Sequence, residues 1–256
     1  MTDHSPSRRN FLIKATAAGT LTVIGSRLGR RSYASGPVGE SEYSWVMVID
    51  QDKCTGCGYC TKACQAHNDV PPSIEWCRVI EAGKVGERQV YLSRPCMHCD
   101  HAPCISVCPV KASYKRADGI VMMDYDRCIG CRYCEVACPY GARAFNWQAF
   151  TDDNPVVPEW GEPEIERRPR GVPEKCSFCS HRIDRGLALG LEPGQDVDAT
   201  PACVAVCPVK ARTFGDINDP ESEVSRILAT SPHFRLREDM GTDPRVYYLP
   251  ARSDEA

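Results

Sequence analysis

Residues 128–139 read Cys128-Ile129-Gly130-Cys131-Arg132-Tyr133-Cys134-Glu135-Val136-Ala137-Cys138-Pro139. Residues 54–64 repeat the cysteine spacing as Cys54, Cys57, Cys60 and Cys64, with Gln65 where Pro139 stands. Two further groups carry the pattern with an insertion: Cys96, Cys99, Cys104 and Cys108-Pro109, then Cys176, Cys179, Cys203 and Cys207-Pro208. In chain order these are groups I (54–64), II (96–108), III (128–138) and IV (176–207). They take up all but Cys77 of the 17 cysteines. Groups II and IV also share Cys-Pro-Val-Lys-Ala, so the chain reads as a duplicated half holding one compact and one expanded group.

Three other uses of cysteine fail on this spacing. An odd total leaves one thiol over, and bridges within Cys-x-x-Cys-x-x-Cys would be cramped and easily reduced. Structural zinc uses two Cys-x-x-Cys pairs, which leaves the third close cysteine and the trailing Cys-Pro without a role. Covalent haem needs a histidine directly after Cys-x-x-Cys, yet the residues there are Gly58, Thr61, Asp100, Arg132, Glu135 and Ser180. What remains is the iron–sulfur run in which three thiolates of a short loop hold one [4Fe–4S] cubane and the fourth reaches another cluster. Gly56 and Gly130 would let the backbone approach the sulfides.

The pairing of groups follows from the spacing. A short segment with a strand-like Gly119-Ile120-Val121-Met122-Met123 joins group II to group III, as in one compact two-cluster unit. Groups I and IV then pair across the sequence. The expected ligand sets are Cys54, Cys57, Cys60 with Cys207; Cys176, Cys179, Cys203 with Cys64; Cys96, Cys99, Cys104 with Cys138; and Cys128, Cys131, Cys134 with Cys108. Pairing I with II and III with IV is the alternative. Lys62, Lys111, Lys175 and Lys210 lie near these cysteines in sequence and are candidates to offset cluster charge.

Around these groups the chain is 256 residues long with a net charge of −3 and 42% hydrophobic residues, cysteine included. That balance offers no basic field for nucleic acid, and no apolar run is long enough to span a membrane. At the N-terminus, Ser7-Arg8-Arg9-Asn10-Phe11-Leu12-Ile13-Lys14 is a twin-arginine pattern, with a small-residue cleavage site before Ser35. Residues 1–34 are therefore expected to be a signal peptide of the Tat pathway, which exports folded, cofactor-loaded proteins to the periplasm. Pro155, Pro158, Pro163, Pro169 and Pro173 make 151–175 an extended segment, read either as a surface linker or as an arm on a partner. A short helix is expected over 182–191, and a second from Asp219-Pro220 with Val224, Ile227 and Leu228 on one face. Tyr247-Tyr248-Leu249 reads as a closing strand. Cys77 reads as a buried thiol without a redox role, and His98 and His101 as polar loop residues more readily than ligands. Tyr140, Phe145, Trp147 and Trp160 suit either a partner contact or the core.

The four groups, with Cys-Ile-Gly-Cys-Arg-Tyr-Cys at 128–134 and Cys-Pro-Tyr-Gly-Ala-Arg at 138–143, resemble the four-cluster iron–sulfur subunits of DMSO-reductase-type molybdoenzyme complexes. Relatives of that kind include the subunits of polysulfide and tetrathionate reductases, formate-dependent nitrite reductase and the sulfite-reduction-associated complex. The resemblance runs from about residue 44 to 250. It implies an α+β fold: a duplicated bacterial-type two-[4Fe–4S] ferredoxin, rich in loops, with a C-terminal extension. One unit would comprise 44–87 with 171–215, the other 88–150, joined by a proline-rich connector at 151–170 and followed by the extension at 216–256. It also implies the I/IV and II/III pairing, four [4Fe–4S] clusters, and electron relay in anaerobic respiration. The implied partners are a membrane quinone-reactive subunit and a catalytic molybdopterin or other redox subunit, with membrane association only through them. The chain would not be an enzyme by itself; the rival is a stand-alone periplasmic polyferredoxin shuttle. Gln65 departs from the family's Pro, which is expected to alter only the local turn.

Overall fold

The run Trp45-Val-Met-Val-Ile-Asp50 is apolar at every position but the last, with Val46, Val48 and Ile49 β-branched, as a strand covered on both faces should be. In the computed structural model, which describes residues 40–252, it is the central strand β1 (Trp45–Asp50) of a three-stranded sheet. The expected signal segment lies outside the described residues. Strand β8 (Arg212–Asp216) pairs with β1 antiparallel, and β9 (Val246–Leu249) pairs with it parallel. Alternation along β1 splits its side chains. Trp45, Met47 and Ile49 face the main core with the cysteines, while Val46 and Val48 face helix α6 (Glu223–Thr230) through Val224.

The other elements are short. Hairpin β2 (Arg78–Val85)/β3 (Arg88–Arg94) precedes group II, and β4 (Ser113–Lys115)/β5 (Val121–Met123) links group II to group III. A two-residue pair, β6 (Ala144–Phe145) with β7 (Pro173–Glu174), leads from group III to group IV. Helices α2 (Pro103–Ser106), α3 (Tyr133–Val136) and α5 (Ala202–Ala205) are single turns that end just before a Cys-Pro step. Helix α1 (Tyr59–His67) runs for 9 residues through group I. Gln65 is the reason, and here the expectation needs correction. Its backbone and side chain do not stop the helix as a proline would, and its Nε2 donates to Ile74 O at 2.9 Å. The effect is thus a longer helix rather than an altered turn.

One register occurs twice. Arg212, five residues after Cys207, stands opposite Ile49, five before Cys54; Ser113, five after Cys108, stands opposite Met123, five before Cys128. In both places the next amide bond matches: Asp50 N donates to Ala211 O and Asp124 N to Ala112 O, each at 2.8 Å. Asp50 and Asp124 then accept from the amides two residues on, at 2.9 and 3.1 Å.

Two boundaries differ from expectation. The 219 turn accepts Glu221 N on Asp219 Oδ1, but the helix starts later because Ser222 is its N-cap, accepting from Ser225 N at 3.2 Å. Helix α4 (Ser180–Ala188) begins right after Cys179, earlier than the charged stretch suggested. No helix among the described residues is long and apolar enough to cross a membrane.

Segment 151–170 lies along α1 of its own chain. Asn154 Nδ2 donates to Gln65 O and Val70 O, Glu164 N donates to His67 O, and Arg167 pairs with Asp69 at 2.9 Å. Residues 242–245 cross from group II to the central sheet: Asp100 N donates to Asp243 O, Arg245 N to Met97 O, and Met47 N to Arg245 O.

Candidate iron–sulfur centres

Each cysteine group makes its loop in the same way. The residue two after its first cysteine adopts a left-handed backbone in all four: Gly56 (φ 74°), His98 (44°), Gly130 (70°) and Phe178 (53°). The compact groups use glycine there because a Cβ would collide. At Gly130 it would lie 2.3 Å from Gly171 O, and at Gly56 2.5 Å from the Tyr91 ring. In the expanded groups His98 and Phe178 tolerate the strain by stacking on each other, ring centroids 3.8 Å apart and both fully buried. His98 Nδ1 accepts from Val121 N at 3.0 Å; burial and Lys175 hold its pKa well below 6.5, so the ring is neutral. His101 is exposed and pairs with Asp243.

None of the seventeen cysteines forms a disulfide. One cavity is lined by Cys54, Cys57, Cys60 and Cys207, another by Cys96, Cys99, Cys104 and Cys138. Cys64 is buried among Cys176, Cys179 and Cys203, and Cys108 stands beside Cys128 and Cys134. Cys131, the remaining thiol of group III, is exposed, as is Cys57. Each gathering therefore combines thiols of one group with the fourth cysteine of another, I with IV and II with III. Amides point at these sulfurs: Ala112 N to Cys108 (3.2 Å), Ala211 N to Cys207 (3.3 Å), Gly130 N to Cys128 and Phe178 N to Cys176 (both 3.4 Å).

The donor chemistry fits [4Fe–4S] clusters. Burial pushes the Cys99 and Cys203 thiols up to about 12, so binding to iron would have to displace their protons to solvent as the thiolates form. Among the described residues no three metal-ligating side chains converge on a single ion; the thiols stand instead around cavities. Sixteen cysteines in four such sets, with amides aimed at their sulfurs, suit a polynuclear group.

Three buried cations lie between the sets. Arg212 is 5% exposed; its Nη1 meets Cys203 Sγ at 3.4 Å, and Cys60 and Cys77 are neighbours. Arg143, 4% exposed, lies beside Cys96, Cys104 and Cys134, with Nη1 3.0 Å from Met123 Sδ. Both stay protonated despite burial because the sulfurs around them favour the charged form. Lys175, 2% exposed, sits between Cys96 and Cys104 on one side and Cys176 on the other, donating to Val121 O and Cys176 O. Of the four lysines expected to offset charge, only this one is buried. Lys62, Lys111 and Lys210 are exposed, and Lys62 lies over the Trp160 ring at 5.1 Å. The two arginines were missed, although a signal exists: each closes a Cys-Pro-x-x-Ala-Arg run, at 138–143 and 207–212.

Of the aromatic candidates, Tyr140 is buried and bonded to Thr242 and Leu236 O, whereas Trp147 is 62% exposed. Trp160 packs edge-on against Tyr59.

Residues 88–152 and again 127–211 match the family described as 4Fe-4S dicluster domain, and 45–66 match the 4Fe-4S binding domain. The chain is 46% identical over 237 residues to the menaquinone reductase iron–sulfur cluster-binding subunit of Nitratidesulfovibrio vulgaris, covering 83% of this chain and 91% of that one. It is 37% identical over 236 residues to the iron–sulfur subunit of an arsenate respiratory reductase from a Shewanella species, covering 79% and 94%. One component of the polysulfide reductase of Wolinella succinogenes is 38% identical over 209 residues, covering 80% and 93%.

Proposed function

Because this protein belongs to the family of [4Fe–4S] electron-transfer subunits of reductase complexes, we propose that it carries four such clusters and joins two redox partners through them. One partner is a membrane quinone-reactive subunit and the other a catalytic molybdopterin or other redox subunit. The names of its relatives, which are components of a menaquinone reductase, an arsenate respiratory reductase and a polysulfide reductase, support that placement. When bound, the clusters supply one-electron transfer between two oxidation states. The protein's own residues supply spacing, charge and exclusion of water.

The observation that carries this reading is the alternation of thiol sets and buried cations. From exposed Cys57 to exposed Cys131 the order is the Cys54 set, Arg212, the Cys176 set, Lys175, the Cys96 set, Arg143 and the Cys128 set. Each cation faces sulfurs of two sets, so each gap holds one positive charge among thiolates. The surface-facing sets at the two ends suit exchange with two partners. The repeated β-register supports a duplicated two-cluster ferredoxin, with units 44–87 plus 171–215 and 88–150 and a C-terminal extension that straps them together. The twin-arginine segment supports export to the periplasm and a peripheral place on the membrane.

Anaerobically purified protein is expected to hold about 16 iron and 16 acid-labile sulfide per chain, four of each per cubane. Cys207→Ser is expected to perturb the same spectroscopic signal as Cys54→Ser, although the two residues are far apart in sequence. A signal shared instead with Cys176→Ser would overturn the crossed assignment, and half the iron in folded protein would overturn the count.

A further inference from the structure

Cys77, the one cysteine outside the four groups, is buried beside Cys60 with Ser93 and Arg212 around it. Arg212 Nη2 donates to Cys77 Sγ at 2.8 Å and also to Ser93 Oγ. Ser93 Oγ lies 3.5 Å from Cys77 Sγ and 3.9 Å from Cys60 Sγ, so it stands between the two sulfurs. The site is held from several elements. Thr61 of α1 donates to Cys77 O at 2.6 Å, and Tyr248 of β9 donates to Ser93 O at 3.0 Å.

The chemistry of arginine fixes the direction of these bonds. A guanidinium has donors and no acceptor, so Cys77 and Ser93 must both accept from Arg212. Their own S–H and O–H hydrogens then point elsewhere. With Cys77 donating to Ser93, the Ser93 hydrogen is left for the Cys60 sulfur. We propose that Ser93, oriented by Arg212 and Cys77, is a positioning residue that donates a hydrogen bond to the Cys60 thiolate and so raises the reduction potential of the cluster it helps to hold. The physical basis is that a hydrogen bond to a ligand sulfur stabilises the more electron-rich, reduced state. Arg143, the counterpart in the other unit, meets Met123 Sδ through Nη1 as Arg212 meets Met47 Sδ, but its Nη2 has no serine and cysteine pair to donate to. The tuning is therefore specific to the group I end of the chain.

This inference rests on the four-cluster reading, and the test separates the two. Full-length protein is titrated potentiometrically with electron paramagnetic resonance detection, and iron and sulfide are counted on the same samples. The signal that Cys57→Ser alters marks the cluster in question. In Cys77→Val, which removes the donor at similar volume, that midpoint is expected to move down while the other three stay. Cys77→Ser, which keeps a donor, returns it towards wild type, and Ser93→Ala, which removes the hydroxyl itself, lowers it by more than Cys77→Val. Unchanged midpoints in fully loaded Cys77→Val, or equal shifts in Cys77→Val and Cys77→Ser, overturn the proposal. If Cys77→Val does not load, Ser93→Ala decides: a lowered midpoint supports the proposal and an unchanged one overturns it. A low iron count in wild-type protein would instead overturn the four-cluster reading.

Discussion

Arg143 shows how much one side chain contributes here. A guanidinium at 4% exposure would be costly on its own, yet in the proposed ligand sets its neighbours Cys104, Cys134 and Cys96 would become thiolates and compensate it. Removing the cation leaves buried negative charge unpaired, a loss on the order of 3–5 kcal/mol. Arg143→Met is therefore expected to lower iron and sulfide content through the group II and III sets, with little effect on the Cys54 set. Arg143→Lys keeps the charge and is expected to retain more iron than Arg143→Met. Iron analysis with cluster spectroscopy checks both. At this scale the four cysteine groups were legible, because thiol spacing is a local property of the chain. The compensating arginines were not, because charge near a ligand in sequence, as at Lys111 and Lys210, says nothing of which side the backbone turns it to. Both lysines occupy left-handed positions after Cys-Pro, φ 54° and 49°, and are exposed.

Among the elements, segment 151–170 has no regular structure and is held through side chains. Its anchor is Glu164, which accepts from His67 Nδ1 and Arg182 at 2.6 Å and from Arg185 at 2.8 Å. These partners outweigh burial and hold the carboxyl down to about 2, from an ordinary 4.5. A carboxylate whose folded pKa is depressed contributes in full above its unfolded value, and the contribution is lost as pH falls through the folded one. Glu164→Gln is thus expected to loosen the segment at neutral pH by about 1 kcal/mol, discounted for partial exposure. Hydrogen exchange at the Glu164 amide, which bonds His67 O, should quicken roughly fivefold. The difference between variant and wild type should shrink between pH 4.5 and about 2. Proline spacing foretold an extended segment; its seat on α1 depends on Asn154, Glu164 and Arg167 meeting residues nearly a hundred positions away.

For the whole molecule, the C-terminal stretch is part of the frame. Strand β9 completes the central sheet, while 242–245 bonds the loop of group II. One core joins Trp45 and Phe214 of that sheet to Ile120, Val121 and Tyr140 near groups II and III. For a fold tied together in this way, with most of its thiols at least half-buried, the export we propose requires assembly and loading beforehand. Changing Arg8 and Arg9 together to lysine is expected to strand the full-length precursor inside the cell, read by fractionation and immunoblot. Undiminished delivery to the periplasm would show that residues 1–34 do not direct export.

By itself the amino-acid sequence determined the 4Fe-4S character of the chain and the division of sixteen cysteines into four groups, on which the proposed ligand sets rest. Spacings of two and three residues set which thiols share one loop, and proline after the fourth cysteine ends each helical turn. Only the tertiary structure decided which cations stand between the thiol sets, that Cys77 lies against Cys60, and that β9 runs parallel to β1. The reason is physical. Ligand spacing is written along the backbone, whereas burial of a charge or a thiol depends on what the rest of the chain packs over it.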